Sequence, residues 1–335
     1  MLSMLSCAIP RRALGWTGVA LLVLLTGGAW ADEPPPLARV VQVTCPGVLT
    51  DQGVNADQLL AMVRAGLPAA TGTDSPTTAW GRFLRSGDVV GLKVDAPGDG
   101  ALGTHRELVL AVAQTLQEAG VPADQILIFG ETAVGMTAAG WTLCDEAGAI
   151  RVLACDQAGY DPEEFVVCDP PGADGNRVSH LSNLVTRRIT RLVALPALRY
   201  TPGLGMSGAL TSLTFGLFDN SARGTAEGGA SFVPKAYADP ALQERLSLVI
   251  ADAIYPAYAG EAGGEQRWPA ESLLCAVGEA PADAVGLALL NAERTAQGLA
   301  ALPTGADHPA YLAAVAQAGL GLADLQQIEW AKLSP

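Results

Sequence analysis

The sequence predicts an α/β protein, a mostly parallel sheet with helices on both faces, folded as one domain with a long polar loop insertion. Three observations predict it. Short apolar runs alternate with segments of helical periodicity through most of the chain. The stretch Val89–Gly130 reads as strand, glycine-rich loop, capped helix and strand, which is one complete crossover unit. Its two strand segments, VVGLKV and ILIFG, are apolar nearly throughout, as strands are when helices cover both of their faces.

The elements follow in chain order. Arg11-Arg12 precede an apolar stretch from Ala13 to Trp30, then Ala29-Trp30-Ala31 and the acidic, proline-rich run Asp32 to Pro36. A basic start, a short apolar centre and an A-x-A site make a secretory signal, so residues 1–31 read as a signal peptide cleaved after Ala31. The apolar run is short for a span of about 20 residues and is broken by Gly27-Gly28, so no stable membrane span is expected after cleavage. The expected destination is periplasmic or extracellular, with general-secretory and twin-arginine export both open. Residues 32–38 form a Pro-rich linker, and 39–335 the single α/β domain.

Ala38–Val43 reads as the first strand, and Asn55 as the cap of a helix whose Leu59, Leu60, Val63 and Leu67 share a stripe. A second helix is expected from Pro76 to Leu84. Thr104 and Glu107 have capping-box spacing, which starts a helix at Thr104 running to about Glu118. Further on, Met136–Ala147 reads as a helix, and Ile150–Cys155 and Phe165–Asp169 as strands. Ile189–Arg199 is a strand leaving the sheet at Pro196. Gly203–Phe218 contains a small-residue helix packed closely on a strand, and Leu246–Ile254 is a buried strand ending near Asp252. Leu273–Gly278 is a short strand, Pro281–Gln297 and Pro309–Gly319 are helices, and IEWAKL is a closing strand. Asp219–Lys235, polar and glycine-rich, is the long loop.

Composition excludes some partners. The formal charge is −14, and without residues 1–31 the chain holds 34 acidic against 18 basic residues, a net of −16. Such a surface repels nucleic acid, and no basic stripe offsets it. Cys45, Cys144, Cys155, Cys168 and Cys275 remain after signal removal, with no C-x-x-C pair, so an iron–sulfur cluster is not expected. Cys155 and Cys168 close a short loop and are the best disulfide candidates in an oxidising compartment.

Several segments together resemble the domain of unknown function 362 family. They are the LKV strand with its Gly/Asp loop, the T-x-x-E-L-V helix ending in EAG, and GMSGALTSLTFGLFDN (205–220). VIADAIYPAYAGEAGG (249–264), APADAVGLALLN (280–291) and HPAYLAAVAQAGLGLADLQQIEW (308–330) follow in order, so the resemblance spans most of the mature chain. Members of that family are often exported and some carry iron–sulfur modules, so the resemblance implies fold and compartment rather than activity. Two departures stand out: Thr211-Ser212 replaces the family's Lys-Asn pair, and no ferredoxin-like cysteine cluster is present.

Open α/β sheets bind ligands at the carboxyl ends of their strands. Lys93 and Asp95 lie at the end of an apolar strand, where a buried ammonium must be paired or face a ligand. Asp252 ends another strand, and these three are the candidate catalytic residues. Glu131 and Arg199 stand after two further strands, His105 at the start of the capped helix, and Ser207 and Asn220 beside the small-residue segment. These five are the candidate ligand contacts. The carboxylates Asp95, Glu131 and Asp252 would suit an oxygen-preferring divalent cation, whose identity the residues leave undefined. The expected activity is a polar ligand or metal site, metal-assisted or acid/base in an enzyme. The alternatives are a non-catalytic binding or scaffold protein engaging a partner through 219–235, and a redox accessory protein. Oligomeric state is undefined.

Overall fold

The computed structural model describes residues 38–98, 102–303 and 309–335; the expected signal peptide, the linker up to residue 37 and His308 lie outside them. Strand β1 (Ala38–Thr44) is followed by the minimal hairpin β2 (Leu49–Thr50) and β3 (Gly53–Val54), then by helix α1 (Ala56–Thr71). Asn55 caps α1 as expected, accepting the Gln58 N–H at 3.2 Å. Ser75 and Thr78 form a capping box on α2 (Pro76–Gly81). Strand β4 (Val90–Val94), α3 (Arg106–Glu118) and β5 (Ile126–Gly130) are the expected crossover unit, with β4 and β5 parallel.

Next come α4 (Ala133–Ala138), β6 (Arg151–Ala154) and the single-turn α5 (Cys155–Ala158). Helix α4 replaces the longer one expected over Met136–Ala147: Thr132 caps it, and Gly140, at φ 79°, ends it. Strands β7 (Tyr160–Val167) and β8 (Val178–Ser182) form a separate two-stranded sheet, with one further bridge from Leu181 to Phe218, so the FVVCD segment does not join the main sheet. Phe165 and Val167 are exposed there, so its apolar run is not core. Strands β9 (Arg191–Leu195) and β10 (Ala197–Thr201) flank Pro196, and β11 (Gly205–Ser207) leads into α6 (Ala209–Leu217).

The polar segment Asp219–Lys235 is not the loose insertion expected. It forms helical turns over Ala222–Gly229 and then α7 (Val233–Tyr237). Phe232 is fully buried, and Arg223 donates to the carbonyls of Cys168 (2.7 Å) and Pro170 (2.9 Å) and to Ser179 Oγ (2.9 Å). Helix α8 (Pro240–Gln243) precedes β12 (Leu246–Ala259), β13 (Gln266–Arg267) and β14 (Ser272–Ala276). Helices α9 (Glu279–Ala296) and α10 (Ala310–Gln317) and strand β15 (Ile328–Leu333) close the chain.

The main sheet runs β15-β1-β14-β12-β9-β4-β5-β6, with β10, β11 and β13 branching from it. Along that path β14 alone runs against its neighbours, pairing antiparallel with β1 and β12. The chain returns from β12 without a crossover helix, and a parallel strand would need one. The fold is therefore α/β on a mixed, mostly parallel sheet. Two cores lie on its two faces: β-sheet side chains with α1, α2 and α3 on one, and with α6, α7, α9 and α10 on the other. The pleat of β4 sends Val90, Leu92 and Val94 to the first face, which leaves Lys93 for the second, the side of α6. No helix among the described residues is long and apolar enough to cross a membrane.

Candidate functional site

Lys93 is 2% exposed, a position at which an unpaired ammonium would be strongly destabilising. All three of its protons have acceptors: Val94 O at 3.0 Å, Asp95 Oδ1 at 3.1 Å and Ser212 Oγ at 3.0 Å. Gly216 makes room for it, since a Cβ there would stand 2.6 Å from Lys93 Nζ. The small-residue character of α6 thus has a local cause, a lysine laid across the helix.

Asp95 completes the group. Its Oδ1 also accepts from Ser212 Oγ at 2.5 Å, and its Oδ2 accepts the Ala197 N–H at 3.0 Å. Burial pushes its carboxyl up, but the charges of Lys93 and Arg199 and the two further donors hold it below its ordinary range. Thr104, expected to cap α3, turns inward instead: its hydroxyl accepts the Asp95 N–H at 2.9 Å and donates to Leu195 O at 2.6 Å. His105 takes the cap position without a side-chain cap bond.

These residues floor a cleft of ≈ 260 Å³ beyond the carboxyl ends of β4, β5 and β9. Lys93, Asp95, Glu131, Arg199 and Ser207 all line it. Among the other lining residues, Thr201, Thr211, Ser212 and Phe215 were not site candidates in the sequence. Thr211-Ser212 was legible as a departure from the resembled family, without a role. Arg199 donates through Nη1 to Leu102 O. Its cross-strand partner Ser207 shares a 2.6 Å hydroxyl–hydroxyl bond with Thr201. Glu131 stands at the rim. It is exposed, so although surrounding protein atoms raise its carboxyl, with Lys93 opposing and Asp95 and Asp156 adding, solvent screens the effect. Among the described residues it makes no side-chain hydrogen bond.

Three predicted residues lie elsewhere. Asp252 sits in β12 rather than at its end, and its register partner is Ala197, so it reaches the same rim. Its neighbours Ile250 and Ile254 belong to the α3 side of the sheet, and the pleat turns Asp252 that way too. There its Oδ2 accepts the His105 N–H at 2.7 Å and bonds His105 Nδ1 at 2.8 Å. The anion expected at the start of α3 is therefore the protein's own carboxylate. Burial lowers the proton affinity of His105, and the Asp252 charge outweighs it, leaving the imidazole raised. Asn220 donates to Val178 O at 3.0 Å, fixing strand β8 rather than lining the cleft.

The divalent-cation expectation does not fit this geometry. No group of three His, Cys, Asp or Glu side chains among the described residues stands close enough to share a metal ion. Asp252 faces away, and the Asp95 oxygens are committed to Lys93, Ser212 and Ala197. Cys45, Cys144, Cys155, Cys168 and Cys275 are free thiols, so the expected Cys155–Cys168 bridge is not formed. Cys155 is buried in the core at α5, where burial pushes its thiol up to about 12, and Cys168 lies 3.6 Å from Arg223 Nη1.

Helix α6 is anchored by a second buried carboxylate. Asp283 on α9 accepts the N–H groups of Ala209 (2.6 Å) and Leu210 (3.1 Å) at the start of the helix. Burial pushes its carboxyl up to about 7, those two bonds opposing the rise, with Glu279 and Asp95 adding to it. Buried Glu279 is raised as well, although it accepts the Tyr237 hydroxyl at 2.5 Å.

No family model matches the chain, and no curated protein matches it. A solved structure similar to it is a protein from Thermotoga maritima determined as a structural-genomics target, with 11% identity and a TM-score of 0.37. The match covers 68% of this chain, which spans 55% of the length of that one.

Two predictions follow from the site. Lys93→Met strands the Asp95 carboxylate, and the loss of stability in urea unfolding should be about 3–5 kcal/mol. Adding Asp95→Asn should recover much of it; a double variant no better than the single one contradicts the pairing. For Asp283 the folded state binds the proton more tightly than the unfolded chain. Its contribution is therefore full below 3.8 and lost as pH rises through about 7. Between those values Asp283→Asn should show a shallower fall of stability with pH than the parent; parallel curves would exclude the linkage.

Proposed function

We propose that the protein binds a small polar ligand in the cleft at the carboxyl edge of its sheet. One observation carries this reading: side chains separated by more than a hundred residues, from Lys93 to Ser207, converge there around a buried, fully paired lysine. Arg199 anchors the ligand, the Lys93–Asp95–Ser212 group fixes the floor, and Glu131 exchanges protons with what is bound. The solvent-accessible carboxyl of Glu131 in the same cleft as the ion-paired Asp95 supports an acid/base enzyme over a passive binder. Ser221, Ala222 and Thr225 border the cleft, which favours a ligand site over a partner-docking loop at 219–235. The redox reading has no support in Cys155 and Cys275, both buried and with thiols pushed up to about 12.

The protein belongs, on this reading, with the domain of unknown function 362 family, and acts in the periplasm or outside the cell after loss of residues 1–31. The order of the resembling segments and the three-part amino-terminal pattern support it.

Screening small polar metabolites by thermal denaturation tests the site. At least one should raise the midpoint by about 2 °C or more in the parent protein and not in Arg199→Gln. A panel in which no stabilisation depends on Arg199 defeats the reading. Export is checked by sequencing the amino terminus of the protein recovered outside the cytoplasm. It should begin at Asp32; an intact terminus on membrane-bound protein would mean an anchor.

A further inference from the structure

We infer that the ligand class of this cleft is a small sugar acid, a single ring or short polyol carrying one carboxylate and several hydroxyl groups. The inference rests on the cleft being a ligand site and narrows what it takes. Charge sets the first limit. The protons of Lys93 are spent inside the protein, so Arg199 is the cleft cation with donors to offer. Only its Nη1 is engaged among the described residues, and the guanidinium fork matches a carboxylate in shape. Lys93 and Asp95 offset each other as an ion pair in the floor, so Arg199 presents one positive charge to the cleft, which matches a monoanion.

A phosphate fits less well. A dianion brings a second negative charge, and among the described lining residues no further cation with free donors meets it. The helix start that could have received it, that of α6, is already occupied by Asp283. Size sets the second limit: the cleft lies just below the roughly 300–1,000 Å³ of drug-sized sites, enough to seat one ring.

The remaining surface is suited to hydroxyls and a C–H face. The Thr201–Ser207 bond uses one of two hydroxyl protons, so the other is free to be donated. Glu131 can accept from a ligand hydroxyl or, when protonated, donate to one. Phe215, half-buried, stacks on Phe232 with ring centroids 5.3 Å apart and planes at 26°, which gives the cleft an apolar wall held in place from behind.

Isothermal titration of the protein with D-galacturonate, D-galactose, acetate and glucose 6-phosphate tests the class. Galacturonate should bind about tenfold or more tighter than galactose or acetate, the margin of a charge-assisted bond reinforced by hydroxyl contacts. Arg199→Gln should erase the margin over galactose. Galactose equal to galacturonate, or the sugar phosphate tightest, would overturn the class while leaving an Arg199-dependent site intact. Binding of none of the four overturns it as well, and the site itself is then judged by the wider metabolite panel.

Discussion

The ammonium of Lys93 is the constraint around which this end of the molecule is organised. A charge buried to 2% exposure is tolerable only with every proton placed, and three different parts of the chain do so. Its own strand supplies a carbonyl, the loop beyond supplies Asp95, and α6 supplies Ser212. Asp95 then extends the same network to Ala197 on β10. One buried pair therefore ties β4, β10 and α6 together at the level where the cleft opens. The close approach needs Gly216, because any side chain there would occupy the position of Lys93 Nζ.

Two carboxylates govern the helix starts on opposite faces of the sheet, with different electrostatic outcomes. Asp252 meets His105 and the start of α3, where an imidazole can share its charge. Asp283 meets the start of α6 with only backbone N–H groups for company and Glu279 nearby, so its proton is held tightly. The helix whose start Asp283 holds, α6, also carries Ser212 and Gly216 of the cleft floor.

Much of this was legible in the residues. Strand β4, α3 and β5 follow from apolar runs and helical spacing, and Lys93 in such a strand announces a pairing problem whose nearest solution is Asp95. Glu131 and Arg199 follow from the rule that strand carboxyl ends form one rim. The segment 219–235 was misread because its glycines and polar residues mask two anchors: Phe232, packed on Phe215 and Phe218, and Arg223, whose partners Cys168 and Ser179 lie far away in the chain. Thr104 was misread because capping-box spacing is local, whereas its hydroxyl bonds Leu195 across the sheet.

What the sequence by itself determined is the alternation of elements and the identity of the polar residues at strand ends, because both depend on neighbours a few positions apart. Tertiary structure alone decided which of those residues meet. Asp252 and Asp95 reach the same rim, yet the pleat and the register between strands turn Asp252 toward α3, while Asp95 is drawn to Lys93 on the side of α6. Side-chain facing alternates at every residue, so a single step of register exchanges one face for the other. That register is set by packing between strands distant in the chain, and no local pattern encodes it.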